Sequence, residues 1–119
     1  MVTQFSNGVK VVNCTDKMMF FLDDGGGLVP VAPCGMVLGV VRRMDEYLTS
    51  GNARLFKRVY EKTEEGLKSI GSIRIEYGDD VKIIGTEEDA KAYKGMVVRP
   101  NLVFSDQSFF GTEAFEIFL

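Results

Sequence analysis

Residues 73–84 read Ile73-Arg74-Ile75-Glu76-Tyr77-Gly78-Asp79-Asp80-Val81-Lys82-Ile83-Ile84, an alternating apolar and charged run, a turn, and a second apolar run. Ile73, Ile75 and Tyr77 alternate with Arg74 and Glu76, the period-two pattern of a half-exposed antiparallel strand. Gly78-Asp79-Asp80 then turns the chain, and Val81 to Ile84 extends again. Two strands about a short turn point to a β-rich protein.

Upstream, 9–14 (VKVVNC) and 17–22 (KMMFFL) are short, apolar and β-prone. With the polar Thr15-Asp16 between them, they read as a strand pair or as one bulged strand. Asp23-Asp24 and the triple glycine 25–27 supply turn hydrogen bonds and positive φ, hence a hairpin loop. No GK[ST] follows the glycines, so a phosphate cradle is the weaker reading. Leu28 to Ala32 extends, with Pro30 marking an edge position because it cannot donate to a ladder. Pro33-Cys34-Gly35 makes a second turn. Residues 36–41 (MVLGVV) are apolar on both alternations, as in a strand buried on both faces. Residues 44–53 leave room for a helical turn ending at Ser50-Gly51-Asn52, and 54–62 (RLFKRVYEK) extend again.

Downstream stands one convincing helix, 86–94. Thr86 caps it, Glu87, Glu88 and Asp89 crowd its first turn, Lys91 and Lys94 its last, and Gly95 ends it. Ala90 and Tyr93 form its inward face. Met96-Val97-Val98 reads as a final interior strand. The predicted fold class is mainly β (α+β): a small antiparallel sheet or barrel with one short helix near residues 86–94. No βαβ alternation supports a parallel sheet.

The 119 residues amount to about one domain, and 45% apolar content suffices for a core. A net charge of −3 gives no broad pull towards nucleic acid or membrane, so an anion site must be a local patch. No apolar run reaches the ~20 residues that span a bilayer. The start, MVTQFSNGVK, lacks a basic and apolar leader, so a cytoplasmic location is expected. Cys14 and Cys34 are then expected to be reduced core thiols rather than a disulfide. Two cysteines and no histidine make a poor zinc set. The missing histidine also removes Ser-His-Asp and Cys-His catalysis and the commonest general base near neutral pH. Only carboxylate chemistry survives, and no acidic pair stands out. No cofactor is implied.

Asn13 and Thr15, Pro33 and Gly35, Tyr77 and Gly78, and Met96-Val97-Val98 together resemble a family of small uncharacterised proteins encoded by tailed phages. That family carries Asn-Leu-Thr-Pro-His on its N-terminal strand, a Pro-Pro-Ser-Gly-like turn, a Tyr/Phe-Gly element and a Tyr-Ile-Val-Ser-like last strand. The resemblance covers roughly residues 9–104. Cys14 stands where the family has Leu, and Asp16 and Lys17 where it has Pro and His, so the role of that histidine does not transfer. Residues 44–72 have no counterpart. The resemblance implies a phage protein in the host cytoplasm. In that setting small proteins often act by binding: they block a host protein or sequester a nucleotide signal used in antiviral defence.

The local excess of positive charge is Arg42, Arg43, Arg54, Lys57 and Arg58. An antiparallel hairpin of 36–43 with 54–62 would gather these side chains at its loop end, with Arg99 joining from a neighbouring strand. Arginine's planar fork suits phosphate, and Tyr60, Phe56 or Tyr47 can stack on a base. Asp45, Glu46 and Glu61 lie close enough in sequence to neutralise the patch, which then becomes an ordinary solvated face. The leading expectation is a non-enzymatic binding protein for a nucleotide or other phosphate-bearing small molecule, or for a host protein. A small carboxylate-dependent enzyme and a structural or accessory phage component are the competing classes. Finally, Phe104, Phe109, Phe110, Phe115 and Phe118 crowd the C-terminal segment 104–119, which is expected to pair two copies in a homo-oligomer.

Overall fold

The computed structural model describes residues 1–102 and 109–119. Its strands, in chain order, are β1 (Thr3–Gln4), β2 (Lys10–Asn13), β3 (Met19–Leu22), β4 (Leu28–Val31), β5 (Val40–Ser50) and β6 (Ala53–Lys62). Helix α1 (Glu64–Tyr77) follows, then β7 (Lys82–Ile84), helix α2 (Glu87–Ala92), β8 (Val97–Leu102) and β9 (Phe109–Ile117). The protein is mainly β, as its composition and turns require, and a short helix lies within the expected 86–94. Seven strands form one sheet in the order β1-β2-β7-β8-β9-β3-β4, while β5 and β6 make a separate ribbon. A bridge between Asn13 and Pro33 links the β2 side back to the β4 side, so the sheet is a nearly closed barrel.

The pairing is mixed rather than antiparallel. β2–β7, β7–β8 and β3–β9 run parallel, and β1–β2, β3–β4 and β8–β9 antiparallel. The first two apolar segments are therefore not each other's partners. Parallel neighbours need a crossover of about a dozen residues. Residues 85–96 supply one between β7 and β8, and the α2 they carry is only 6 residues long, which hides the βαβ unit from a periodicity argument. Consecutive apolar pairs report its burial: Val11 and Val12, Ile83 and Ile84, Val97 and Val98 all lie in the core. Val12, Ile83 and Val97 face the helices, with Ile70, Ile73 and Tyr93. Val11, Ile84 and Val98 face the barrel interior, with Phe5, Phe21 and Val31.

Ile73 to Tyr77 is helix, not strand. The alternation is real but short, and a helix accommodates it by burying only Ile73, with Ile70 one turn before, while Ile75 is 89% exposed. The end signals decide. Thr63 Oγ1 accepts from the Gly66 N–H at 3.0 Å, Glu64 and Glu65 occupy the first turn, Arg74 the last, and Gly78 stops the helix at φ 97°.

The predicted hairpin exists and is longer than expected. Residues 44–50 continue β5 instead of coiling, and the ribbon turns at Gly51-Asn52. Residues 36–39 are not a buried strand: Val37 is 63% exposed, and only Leu38 of that run enters the core. The ribbon projects as an arm from a molecule measuring 57 × 35 × 22 Å. Tyr93 holds its two roots together. The buried Tyr93 hydroxyl donates to the Gly39 carbonyl at 2.6 Å and accepts from the Thr63 N–H at 3.1 Å.

The C-terminal segment is strand β9, seated between β8 and β3. Phe110 and Phe115 pack around Phe21, at ring-centroid distances of 5.5 and 6.4 Å. Both rings are half-buried against their own chain, while Ile117 and Leu119 beyond them remain 44% and 93% exposed. Phe104 lies outside the described residues.

Asn13-Cys14-Thr15 and Pro33-Cys34 together form the barrel seam. The Cys34 N–H donates to the Asn13 carbonyl at 2.8 Å, and Asn13 Nδ2 donates to the Val31 and Lys17 carbonyls at 3.1 and 2.8 Å. Asn13 Oδ1 accepts from Thr15 N and Oγ1 at 3.0 and 2.6 Å. A buried amide satisfied on both ends seals a junction where apolar side chains would leave backbone groups unpaired. Both cysteines are free thiols; Cys14 is buried and Cys34 half-buried.

Candidate functional site

The arm's charge is mostly spent within the arm. Arg43 pairs with Asp45 at 2.8 Å and with Glu61, and Arg54 with Glu46 at 3.1 Å. Arg42 Nε donates to Glu88 on α2 at 2.6 Å, and this bond holds the Glu88 carboxyl below its ordinary range, aided by the charges of Arg42, Arg58 and Lys91. Arg99 pairs across strands with Glu116 and reaches Glu87 at 3.4 Å. Four of the seven expected binding residues, Arg42, Arg43, Arg54 and Arg99, therefore have carboxylate partners. Lys57 faces Tyr47, its ammonium 5.8 Å from the ring centroid.

The remaining two, Arg58 and Tyr60, meet cations that the sequence reading had assigned only to a helix dipole. Strand alternation puts Arg58 and Tyr60 on one face of β6 with their partners Met44 and Arg42. The Arg42–Glu88 pair docks α2 against that face. Lys91 follows Glu87 by one turn, and Lys94 lies in the turn just past the end of α2; both line that face. Phe118, just past β9, forms the floor's other side.

The result is a cleft of about 510 Å³ lined by Lys57, Arg58, Val59, Tyr60, Lys91, Lys94 and Phe118. That volume lies within the range of small-molecule sites. Lys91 Nζ sits 5.9 Å from the Tyr60 centroid and 5.9 Å from the Phe118 centroid, between two aromatic faces. Lys91 also reaches Glu87 at 3.4 Å. Among the described residues, neither Arg58 nor Lys94 lies within 4.0 Å of a carboxylate oxygen. The groove continues along Tyr60, Glu61, Lys62 and Ala92 as a second hollow of about 360 Å³. Chemically, the cleft presents four cationic side chains around two rings: donors for phosphate oxygens and faces for a planar base.

Among the described residues, no three Cys, Asp or Glu side chains converge as a metal-ligand set. No helix among them is long and apolar enough to cross a membrane. Lys91, Lys94 and Phe118 are the residues missed from sequence. Spacing put both lysines on one helix end, but nothing local says which strand that end overhangs. No protein-family profile, curated protein or solved structure matches the chain.

Proposed function

We propose that this protein is a non-enzymatic binding protein that captures a phosphate-bearing small molecule of nucleotide type in the cleft between β6 and α2. The observation that carries the reading is the convergence of Arg58, Lys91 and Lys94 on the rings of Tyr60 and Phe118. Arg58 and Lys94 supply phosphate donors, and the two rings supply a base-stacking platform. Sequestration of a nucleotide signal in a phage setting is the use this reading favours, and the setting rests on the resemblance of the Asn13, Pro33 and Tyr77 segments alone.

A thermal-shift panel of inorganic phosphate, nucleosides, and mono-, di- and cyclic nucleotides tests it. A nucleotide present at 100 times its dissociation constant adds about 2.7 kcal/mol of stability. Stabilisation by nucleotides but not by nucleosides supports the reading, and no shift with any phosphate-bearing compound refutes it. Nucleotide recovered unchanged after denaturation supports binding; converted nucleotide identifies an enzyme.

A second reading, capture of a host protein, draws on a different observation. The arm exposes Met44, Tyr47, Leu48, Leu55 and Phe56, with Tyr47 64% and Met44 56% accessible. A two-stranded ribbon is marginal by itself in water, and aromatic and Met side chains on such a ribbon suit a protein interface. Lys substitutions at Tyr47 and Phe56 that abolish partner capture while leaving nucleotide binding intact would establish this reading.

A further inference from the structure

The barrel seam places two thiols side by side, a feature the cleft does not use. We propose that Cys14 and Cys34 form a reversible oxidation site that reacts with hydrogen peroxide and closes into an intramolecular disulfide across the seam. The backbone carries this independently of rotamers. The parallel bridge of Asn13 with Pro33 and the Cys34 N–H to Asn13 carbonyl bond put Cys14 and Cys34 next in register. Neighbouring strands lie about 4.8 Å apart, inside the Cα separation of about 4.4–6.8 Å that a disulfide tolerates. The side chains agree: Cys14 Sγ and Cys34 Sγ are 3.7 Å apart, so a modest rotation of either brings them to bonding distance.

The environments assign the order of events. Cys34 is half-buried and open to a small oxidant, whereas Cys14 is buried. Burial first, and then the neighbouring Cys34 thiol and the Asp89 charge, push the Cys14 thiol far above its usual range, so Cys14 is not the initial nucleophile. Cys34 Sγ, as thiolate, attacks one peroxide oxygen. The O–O bond breaks, and the leaving oxygen departs as water after protonation, leaving Cys34 as the sulfenic acid. Cys14 Sγ then attacks Cys34 Sγ. The S–S bond forms, the S–O bond breaks, and the sulfenic oxygen leaves as water carrying the Cys14 proton. Two thiols give up two electrons and the peroxide becomes two waters. The product ties β2 to the segment that runs through Leu38 and Gly39 into the arm.

The experiment treats the full reduced chain with hydrogen peroxide under native conditions and reads intact mass and peptide maps. The expected product is a monomer lighter by two hydrogens, containing a Cys14–Cys34 crosslinked peptide. It should form at a rate independent of protein concentration and be reversed by dithiothreitol. The Cys14→Ala variant should accumulate a dimedone adduct at Cys34, and the Cys34→Ala variant should leave Cys14 unmodified at the same exposure. Wild-type chain that gains oxygen without bridging, or that bridges only between molecules, overturns the proposal even if the variants fail to fold.

Discussion

Gly66 and Gly71 lie in the same helix and should respond to alanine in opposite directions. On an open helix surface, Gly→Ala gains about 0.8–1.0 kcal/mol by restricting the unfolded chain. Gly71 meets that condition, since a Cβ there would have no heavy atom within 4 Å. Gly66 does not. A Cβ there would lie 2.6 Å from Tyr93 Cζ and closer still to the hydroxyl oxygen, and the Tyr93 ring is fully buried. Relief requires moving a ring whose hydroxyl serves the Gly39 carbonyl and the Thr63 N–H. Overpacking costs about 1–3 kcal/mol, and stranding a buried polar partner about 1–3 kcal/mol more. Set against the propensity gain, Gly66→Ala should lose about 1–5 kcal/mol, while Gly71→Ala should gain up to about 1 kcal/mol. Urea unfolding followed by circular dichroism measures both. Because the damaged bonds tie the arm's roots, Gly66→Ala should also speed amide exchange at Val40 and Lys62. Equal or greater stability of Gly66→Ala would refute the packing of α1 against Tyr93.

Three further outcomes follow from the same contacts. Truncation after Gly111 should lower the urea midpoint sharply, because β8 loses its pairs with Phe115, Glu116 and Ile117 while β3 keeps its pairs with Phe109 to Gly111, and the half-buried Phe115 leaves the Phe21 cluster, a loss of up to about 1.5–3 kcal/mol; a truncated chain as stable as the full one would contradict the topology. Burial holds the Asp89 carboxyl above its ordinary 3.8, the backbone and side-chain bonds with Thr86 only partly offsetting this. The stability this group lends is therefore full below that pH and lost as pH rises through the raised value, so urea midpoints of Asp89→Asn should gain on wild type as pH rises from below 3.8 through the raised value, and a gap independent of pH would refute the assignment. Lastly, Arg58→Gln with Lys94→Gln should weaken nucleotide binding and flatten its salt dependence, whereas Arg43→Gln with Arg54→Gln should weaken it far less, since their charges are already paired within the arm; the reverse ranking in a titration series would move the site into the arm.

What was legible in the sequence, and what was not, follows from the range of each signal. Capping and turn chemistry is local, so the Thr86 cap and the 23–27 loop are legible in the sequence, and Pro30 does lie on the edge strand β4, but the helix stops at Ala92 with Tyr93 as its cap, short of the expected Gly95. The same signature, Thr63 with Glu64, Glu65 and Gly78, also marked α1, but the alternation of Ile73 to Tyr77 outweighed it. A five-residue pattern satisfies both periods; only the caps discriminate. Parallel pairing was hidden because the α2 crossover is so short. The site was half visible. Arg58 and Tyr60 came from composition and alternation, but Lys91, Lys94 and Phe118 reach the cleft through tertiary packing of α2 and β9, which no spacing encodes. Ion pairing equally decided which arginines were spoken for, and it depends on register: the diagonal Arg43–Glu61 contact exists only because Arg43 pairs with Val59.

The most direct test of the proposed anion cleft is amide and side-chain NMR of the labelled full chain during titration with ATP as the nucleotide probe. The reading predicts saturable shifts concentrated at Arg58, Tyr60, Lys91, Lys94 and Phe118, with the Asp23–Gly27 loop unmoved. Shifts centred elsewhere, on the arm tip or the barrel seam, or no saturable shift at millimolar ATP, would contradict it.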